Sequence, residues 1–181
     1  GNVDFIYGAG TSYFDDCDIV ARYTEYKSDG CYTAGRTYAS TPYGYVFNNC
    51  RFLAEEGVAD GAYRMARPWG ADDSTTFMNC YLGRAISLET SYGDMSGNLA
   101  ENARFAEYGS YGPGYTVNNK RPYLTSAQAA KFKTDTVMGD YDYSARTATL
   151  YGTQQEKPKT DITVVDKAEV VKNVAVDENA V

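Results

Sequence analysis

Three short segments of this chain share one pattern of apolar and polar positions. In each segment a Phe is followed by two further residues, then by Cys, then by one residue and another apolar side chain. The segments are residues 13–19, 46–52 and 76–82. Their side chains alternate in character every second residue, as in a β-strand with one buried face.

The spacing of these segments predicts a solenoid. Their Cys residues recur after 33 and then 30 residues, a spacing typical of a coil whose turns carry loops of different length. We therefore predict an all-β protein in which the chain winds as a parallel β-helix. Two interior stacks follow from this arrangement, one of phenylalanines and one of cysteines: Phe14, Phe47 and Phe77, and Cys17, Cys50 and Cys80.

The segments between and after the repeats predict loops and one helix. Residues 20–45 contain several Tyr and the basic residues Arg22, Lys27 and Arg36, whereas residues 54–63 are small and acidic. We interpret both stretches as loops that wall a groove. Thr125 followed by Gln128 is a capping-box pattern, which predicts a helix through Phe132 that covers the flank of the solenoid.

The composition changes near the end of the chain. From Gln154 onward the sequence is rich in Lys, Glu, Asp and Val and has no aromatic residue. We therefore divide the chain into a solenoid domain, residues 1–153, and a tail, residues 154–181. The tail is interpreted as a linker or as the start of a further module.

One carboxylate, that of Asp4, lies in the middle of the apolar run at residues 1–8, whose composition predicts a β-strand. A buried carboxylate must find hydrogen bonds or a cation, or else take up a proton. Arg67 is the obvious cation, because Pro68 fixes its backbone and Trp69 adds an indole ring beside it. The pair is either a structural ion pair or a nucleophilic aspartate held by an arginine.

Composition and charge exclude several classes of function. The 181 residues contain no His, so mechanisms that need imidazole as base or metal ligand are excluded within this chain. The net charge of −7 argues against a nucleic-acid partner, and no run approaches the ~20 apolar residues of a membrane span. We expect no metal and no cofactor, since the sequence has neither a Cys-x-x-Cys motif nor a phosphate-binding loop.

The four cysteines allow two interpretations. An even number in a secreted domain is compatible with disulfides. Three of them, however, occupy the same place in successive repeats, where stacked thiols behave as small apolar groups. We favour free, buried thiols.

Four stretches, in order, resemble the pectin methylesterases, also called pectinesterases. Residues 1–8 read GNVDFIYG, close to the family signature G-x-V-D-F-I-F-G, and Arg67-Pro68-Trp69 matches the signature G-R-P-W. The stretches DMSG at 94–97 and RFAEYGSYGPG at 104–114 resemble later blocks of the family. The resemblance extends from Gly1 to about Tyr143 and implies a right-handed parallel β-helix.

The resemblance also implies a reaction and assigns roles. Asp4 is expected to act as the nucleophile on the methyl ester of galacturonate in pectin, releasing methanol. Arg67 is expected to orient Asp4 and keep it ionised. The substrate, methylated homogalacturonan, is expected to contact four residues: Val3, Tyr7, Trp69 and Met95. Such an enzyme is expected to be secreted, either extracellular or periplasmic.

The chain departs from the family pattern in two ways. An earlier family motif, Gln-Asp-Thr-Leu, supplies the acid/base aspartate and the oxyanion-binding glutamines, and nothing in this chain matches it. We therefore expect a partner N-terminal segment that carries these groups, and a solenoid that lacks its N-terminal coils. At single positions, Ala66, Tyr92 and Cys31 replace a Gly, a nearby Trp and an aromatic residue.

Two alternatives to the esterase remain at this point. The chain could be a non-catalytic β-helical module that binds pectin or serves a structural role, with Asp4 and Arg67 as an ion pair only. Polysaccharide lyase chemistry on the same fold would generally need a calcium site and a basic proton abstractor. The side chains of Asp15, Asp16 and Asp18 alternate in direction along a strand and do not predict such a calcium site.

Overall fold

The fold consists of three parallel sheets. The computed structural model describes residues 1–118 and 121–141, and within them ten strands pair in parallel throughout. Sheet A contains Ile6–Gly8 (β1), Gly30–Gly35 (β4) and Tyr63–Ala66 (β7). Sheet B contains Ser12–Asp15 (β2), Tyr45–Asn48 (β5), Ser74–Met78 (β8) and Arg104–Tyr108 (β10). Sheet C contains Asp18–Ala21 (β3), Arg51–Ala54 (β6) and Tyr81–Leu82 (β9).

Each of the first three turns of the chain adds one strand to each sheet, and β10 adds a fourth strand to sheet B, which makes the fold the predicted parallel β-helix. In sheet B, Phe14 lies in register with Phe47, and Phe47 with Phe77. The ring centroids are 4.6 and 5.4 Å apart and the rings are nearly parallel, with 11° and 10° between their planes. The predicted phenylalanine stack is therefore confirmed, and it forms the centre of the apolar core.

The corner between sheets B and C explains the polar part of the repeat. Asp16, Asn49 and Asn79 have φ angles of 50°, 52° and 53°, in the left-handed region that Asn and Asp tolerate better than other side chains. A cysteine follows each of them. The thiol of Cys80 donates to the Phe47 carbonyl at 3.5 Å, so successive coils are joined through this stack. None of the four cysteines forms a disulfide, which confirms the interpretation as thiols.

Two sequence predictions about strands were wrong. Residues 20–45 do not form one loop, because β4 occupies the middle of the stretch and all six of its residues are buried. Its first and last residues, Gly30 and Gly35, are typical of loops, yet both are needed here, because a Cβ at either position would come within 2.5 Å of neighbouring atoms. Asp4 does not lie inside a strand either: it precedes β1, with a φ of 50°.

Two short helices cover the outer face of sheet B. Ser126–Ala129 (α1) begins with the predicted capping box, in which Thr125 and Gln128 exchange hydrogen bonds. A 3-10 turn, Ala130–Phe132, continues it, and Thr134–Met138 (α2) follows. Ala129 and Val137 pack on Val46 and Met78 of sheet B, as the prediction of a helix on the flank required.

The described helices are short, and none of them is long and apolar enough to span a bilayer. The predicted tail, residues 154–181, lies outside the described residues, as does the boundary at residue 153.

Candidate active site

Asp4 and Arg67 meet on sheet A, with one strand between them. Asp4 lies in the turn before β1, where its backbone N–H donates to the Cys31 carbonyl of β4 at 2.8 Å. Arg67 follows β7, and its N–H donates to the Thr33 carbonyl of the same strand at 3.1 Å. Both backbones are therefore anchored to β4, which fixes the separation of the two side chains.

The two side chains form a bidentate ion pair. Arg67 Nε donates to Asp4 Oδ1 at 2.7 Å, and Arg67 Nη2 donates to Oδ2. The side chains are 22% exposed for Asp4 and 27% for Arg67, so the carboxylate is reachable from solvent without being surrounded by it. The hydrogen bond to Asp4 raises the pKa of Arg67, which fixes this guanidinium as a permanent cation.

The backbone of Asp4 is held in an uncommon conformation. A φ of 50° places it in the left-handed region, which a side chain other than that of Gly, Asn or Asp rarely adopts. Asp is among the few side chains that tolerate this region, and Asp16 adopts the same φ of 50° at the corner between sheets B and C. At Asp4 the two hydrogen bonds from Arg67 and the backbone bond to the Cys31 carbonyl hold the conformation in place.

Aromatic rings extend from the ion pair along the surface. Tyr7 and Trp69 meet edge to face with their ring centroids 6.2 Å apart, and they are 68% and 40% exposed. Exposed rings of this kind give a surface on which the apolar face of a sugar can stack. Arg36 lies over the Trp69 ring, with its guanidinium carbon 5.4 Å from the ring centroid.

The positions of Val3 and Met95 are set by the backbone segments that carry them. Val3 precedes Asp4 directly and is half-buried. Met95 is half-buried in a loop that closes on itself through two hydrogen bonds between Met95 and Asn98. The Asn98 side chain donates to the carbonyls of Pro68 and Trp69 at 3.2 and 3.0 Å, which ties this loop to the segment that carries Arg67.

The family model described as Pectinesterase matches residues 1–141. The chain belongs to the pectinesterase family. Pectinesterase A of Dickeya dadantii is 38% identical over 166 aligned residues, which cover 77% of this chain and 45% of that protein. The chain therefore spans about half the length of the relatives it matches.

Solved pectin methylesterases share the fold. The structure of a pectin methylesterase mutant in complex with a hexasaccharide has a TM-score of 0.67 and 32% identity, covering 78% of this chain and 48% of that one. The carrot pectin methylesterase has a TM-score of 0.70 and 25% identity, covering 81% and 50%. The two similarities support the β-helix assignment independently of the residues that led to it.

Two of the three residues that depart from the pectinesterase pattern, Cys31 and Tyr92, lie in or against the core. The thiol of Cys31 is buried, and burial together with the charge of Asp4 raises its pKa to about 12. Cys31 therefore stays protonated and does not compete with Asp4 as a nucleophile. Tyr92 points into the core, where it packs on Phe105 with ring centroids 5.3 Å apart, so it does not line the groove.

Two residues around the site, Arg36 and Asn98, were not predicted from the sequence. Arg36 was only one of several basic residues in a stretch interpreted as loop, and no local pattern linked it to Trp69. Asn98 closely follows a recognised block, but its hydrogen bonds to the Trp69 segment depend on the loop closing.

Within the described part of the chain, no group of three or more His, Cys, Asp or Glu residues is placed to hold a metal ion.

Proposed function

We propose that this chain carries the nucleophile of a pectin methylesterase, which hydrolyses the methyl esters of galacturonate in pectin. The observation that carries the proposal is the bidentate Asp4–Arg67 pair, partly exposed beside the rings of Tyr7 and Trp69. Membership of the pectinesterase family supports the same reaction. A pair with only a structural role would not need an open aromatic surface beside it.

The proposed reaction has two halves. One carboxylate oxygen of Asp4 attacks the C6 carbonyl carbon of the ester and forms a tetrahedral oxyanion. When this intermediate collapses, the bond to the methoxy oxygen breaks, the oxygen takes a proton, and methanol leaves. Water then attacks the resulting acyl-enzyme anhydride, releasing the free galacturonate and regenerating the Asp4 carboxylate.

Arg67 prepares Asp4 for this attack. Its two N–H groups fix the plane of the carboxylate, so that the oxygens are aimed before the substrate arrives. Its charge stabilises the ionised carboxylate as the resting form and again as the leaving group when the acyl-enzyme is hydrolysed. The rigid backbone around Pro68 keeps this geometry.

The acid/base and oxyanion-binding groups are a separate part of the proposal. The reaction needs a proton donor for methoxide and donors for the oxyanion, and no residue of this chain matches the family motif that supplies them. We assign these roles to a segment that corresponds to another part of the relatives' length, since this chain matches 45% of Pectinesterase A.

The proposed substrate is methylated homogalacturonan lying across Tyr7 and Trp69. Two solved pectin methylesterases that resemble this chain hold hexasaccharides, which supports an oligosaccharide groove. Val3 and Met95 are proposed as further contacts. Because a polymer of this size cannot enter a cell, we propose that the protein acts outside the cytoplasm.

Methanol release from highly methylated pectin tests the proposal. The chain is assayed alone and with the N-terminal half of Pectinesterase A of Dickeya dadantii, in each case beside Asp4→Asn. Asp18→Asn is the matched control, since Asp18 also pairs with an arginine, Arg51, but on sheet C. We expect release that Asp4→Asn abolishes and Asp18→Asn preserves. Pectin binding with no methanol from any mixture would instead favour a non-catalytic module.

A further inference from the structure

Residues 91–98 run alongside residues 65–69, the segment that carries Arg67. Two backbone hydrogen bonds join the segments, from the N–H of Met65 to the carbonyl of Ser91 at 2.7 Å and from the N–H of Gly93 to the carbonyl of Ala66 at 3.1 Å. On its other side the same segment is held by β4, through the N–H of Arg67. The backbone is therefore fixed from both sides as far as Arg67.

Directly after Arg67 the pairing with β4 is interrupted. Pro68 has no N–H to donate, and the pairing resumes only at Gly70, whose N–H donates to the last carbonyl of β4 at 3.1 Å. Between these points the side-chain amide of Asn98 donates to the carbonyls of Pro68 and Trp69, at 3.2 and 3.0 Å. One amide therefore supplies two hydrogen bonds at the place where the sheet supplies none.

A tight turn presents this amide. Ser96 and Gly97 have φ angles of 53° and 83°, and two consecutive positive φ angles are typical of the shortest hairpin turns. Met95 and Asn98 close the turn through two backbone hydrogen bonds, of 3.0 and 2.8 Å. The backbone of Asn98 is thus fixed by its own turn, which leaves the side chain to hold the neighbouring segment.

We infer that Asn98 positions Arg67 for its contact with Asp4. A guanidinium that pairs with both oxygens of a carboxylate tolerates little movement of its own backbone, because both hydrogen bonds lose their alignment together. Asn98 limits this movement through the carbonyls of the two residues that follow Arg67. Asn98 is therefore a positioning residue, and the inference rests on the proposed function, in which Arg67 aims Asp4.

Fluorescence of Trp69 tests the inference without turnover. Trp69 is the single tryptophan of the chain and is 40% exposed, so it reports the state of this segment. Anisotropy and quenching by acrylamide are measured on the full chain and on Asn98→Ala, Asn98→Asp and Asn98→Gln. The matched control is Asn48→Ala, which removes an amide that donates to Asp15 on sheet B.

The order of the variants separates a hydrogen-bonding role from a space-filling one. Asn98→Asp keeps the shape of the side chain but turns an acceptor toward two carbonyls, so it should lower the anisotropy and raise the quenching constant more than Asn98→Ala does. Asn98→Gln keeps the donors and should change both least. Asn48→Ala should change neither. If Asn98 only filled space, Asn98→Asp would be milder than Asn98→Ala.

The kcat for methanol release connects Asn98 with Arg67. In the mixture with the N-terminal half of Pectinesterase A, we expect Asn98→Ala to lower kcat roughly tenfold and to change KM less, as for a displaced reacting group. In an Arg67→Lys background the same substitution should cost less than about twofold, because the alignment that Asn98 maintains is already lost. Asn48→Ala should leave kcat unchanged.

Several outcomes would overturn the inference. Equal costs of Asn98→Ala in the two backgrounds would mean that Asn98 does not act through Arg67. A higher KM at unchanged kcat would make Asn98 a substrate contact, and unchanged fluorescence in Asn98→Asp would show that the two bonds do not hold the segment. Failure of the proposed function is distinguishable, since it appears as methanol release that survives Asp4→Asn, whereas the fluorescence needs no turnover.

Discussion

Glu107 lies in register with Phe77 in sheet B, at the position where the phenylalanine stack would otherwise continue into the fourth coil. The carboxylate is fully buried, and Arg121 donates to both of its oxygens at 2.8 and 3.1 Å. The Tyr92 hydroxyl donates to it as well, at 2.9 Å. The apolar stack therefore ends on a buried ion pair rather than on a further aromatic ring.

Removal of Arg121 is expected to destabilise the fold strongly. Arg121→Met leaves Glu107 without its cation in an apolar interior, and we expect a loss of about 3–5 kcal/mol in the free energy of unfolding. Urea denaturation measures it. The control is Arg51→Met, in an ion pair whose side chains are 43% and 44% exposed, where the cost should stay below about 1 kcal/mol. Similar losses in the two variants would contradict the role of burial.

The two parallel N–H donors of Arg67 are expected to contribute more to kcat than its charge alone. Arg67→Lys keeps a cation but loses the two parallel hydrogen bonds that fix the carboxylate plane of Asp4. We expect kcat for methanol release to fall roughly 100-fold, the penalty typical of a misaligned reacting group. The matched control is Arg51→Lys, which should leave kcat unchanged. A rise in KM with kcat unchanged would assign Arg67 to substrate binding instead.

Asp73 is expected to make stability depend on pH. It is fully buried, and burial raises its pKa from 3.8 to about 6. The folded state therefore binds the proton more tightly than the unfolded state. Stability from this group is fully present below pH 3.8 and is lost as the pH rises through about 6.

Denaturation of the chain and of Asp73→Asn between about pH 4 and 8 tests this prediction. The variant should be the more stable by on the order of 2–3 kcal/mol above about pH 6, with the difference vanishing at low pH. Burial also raises the pKa of Glu107, which contributes with the same sign, but that effect is common to both proteins. Parallel pH curves for the two proteins would contradict the assignment to Asp73.

The thiols are expected to differ in reactivity. Cys31, Cys50 and Cys80 are buried, whereas Cys17 is only half-buried. Titration with a disulfide reagent near pH 8 should therefore detect one thiol in the folded protein and all four in denaturant. Cys17→Ala should remove the fast phase. Rapid reaction of more than one thiol without denaturant would contradict the buried stack.

Much of the fold could be predicted because each coil of the solenoid contains the same short sequence motif. Phe, then Asn or Asp, then Cys encodes an inward ring, a left-handed corner and a buried thiol within four residues. The strand β4 was not predicted, because it has no copy of the motif and begins and ends with glycine. Its assignment depends on pairing with β1 and β7, which no local pattern records.

The sequence by itself determined the β-helix and the family, and it singled out Asp4 and Arg67 as a candidate pair, because periodicity decides which side chains face inward and short motifs identify the family. Only the tertiary structure decided which side chains from distant parts of the sequence lie next to one another. Arg36 reaches Trp69, and Glu107 replaces a ring above Phe77, only because coils of unequal length stack in one register. That register is set by the sum of contacts along three sheets, which is not a property of any single segment.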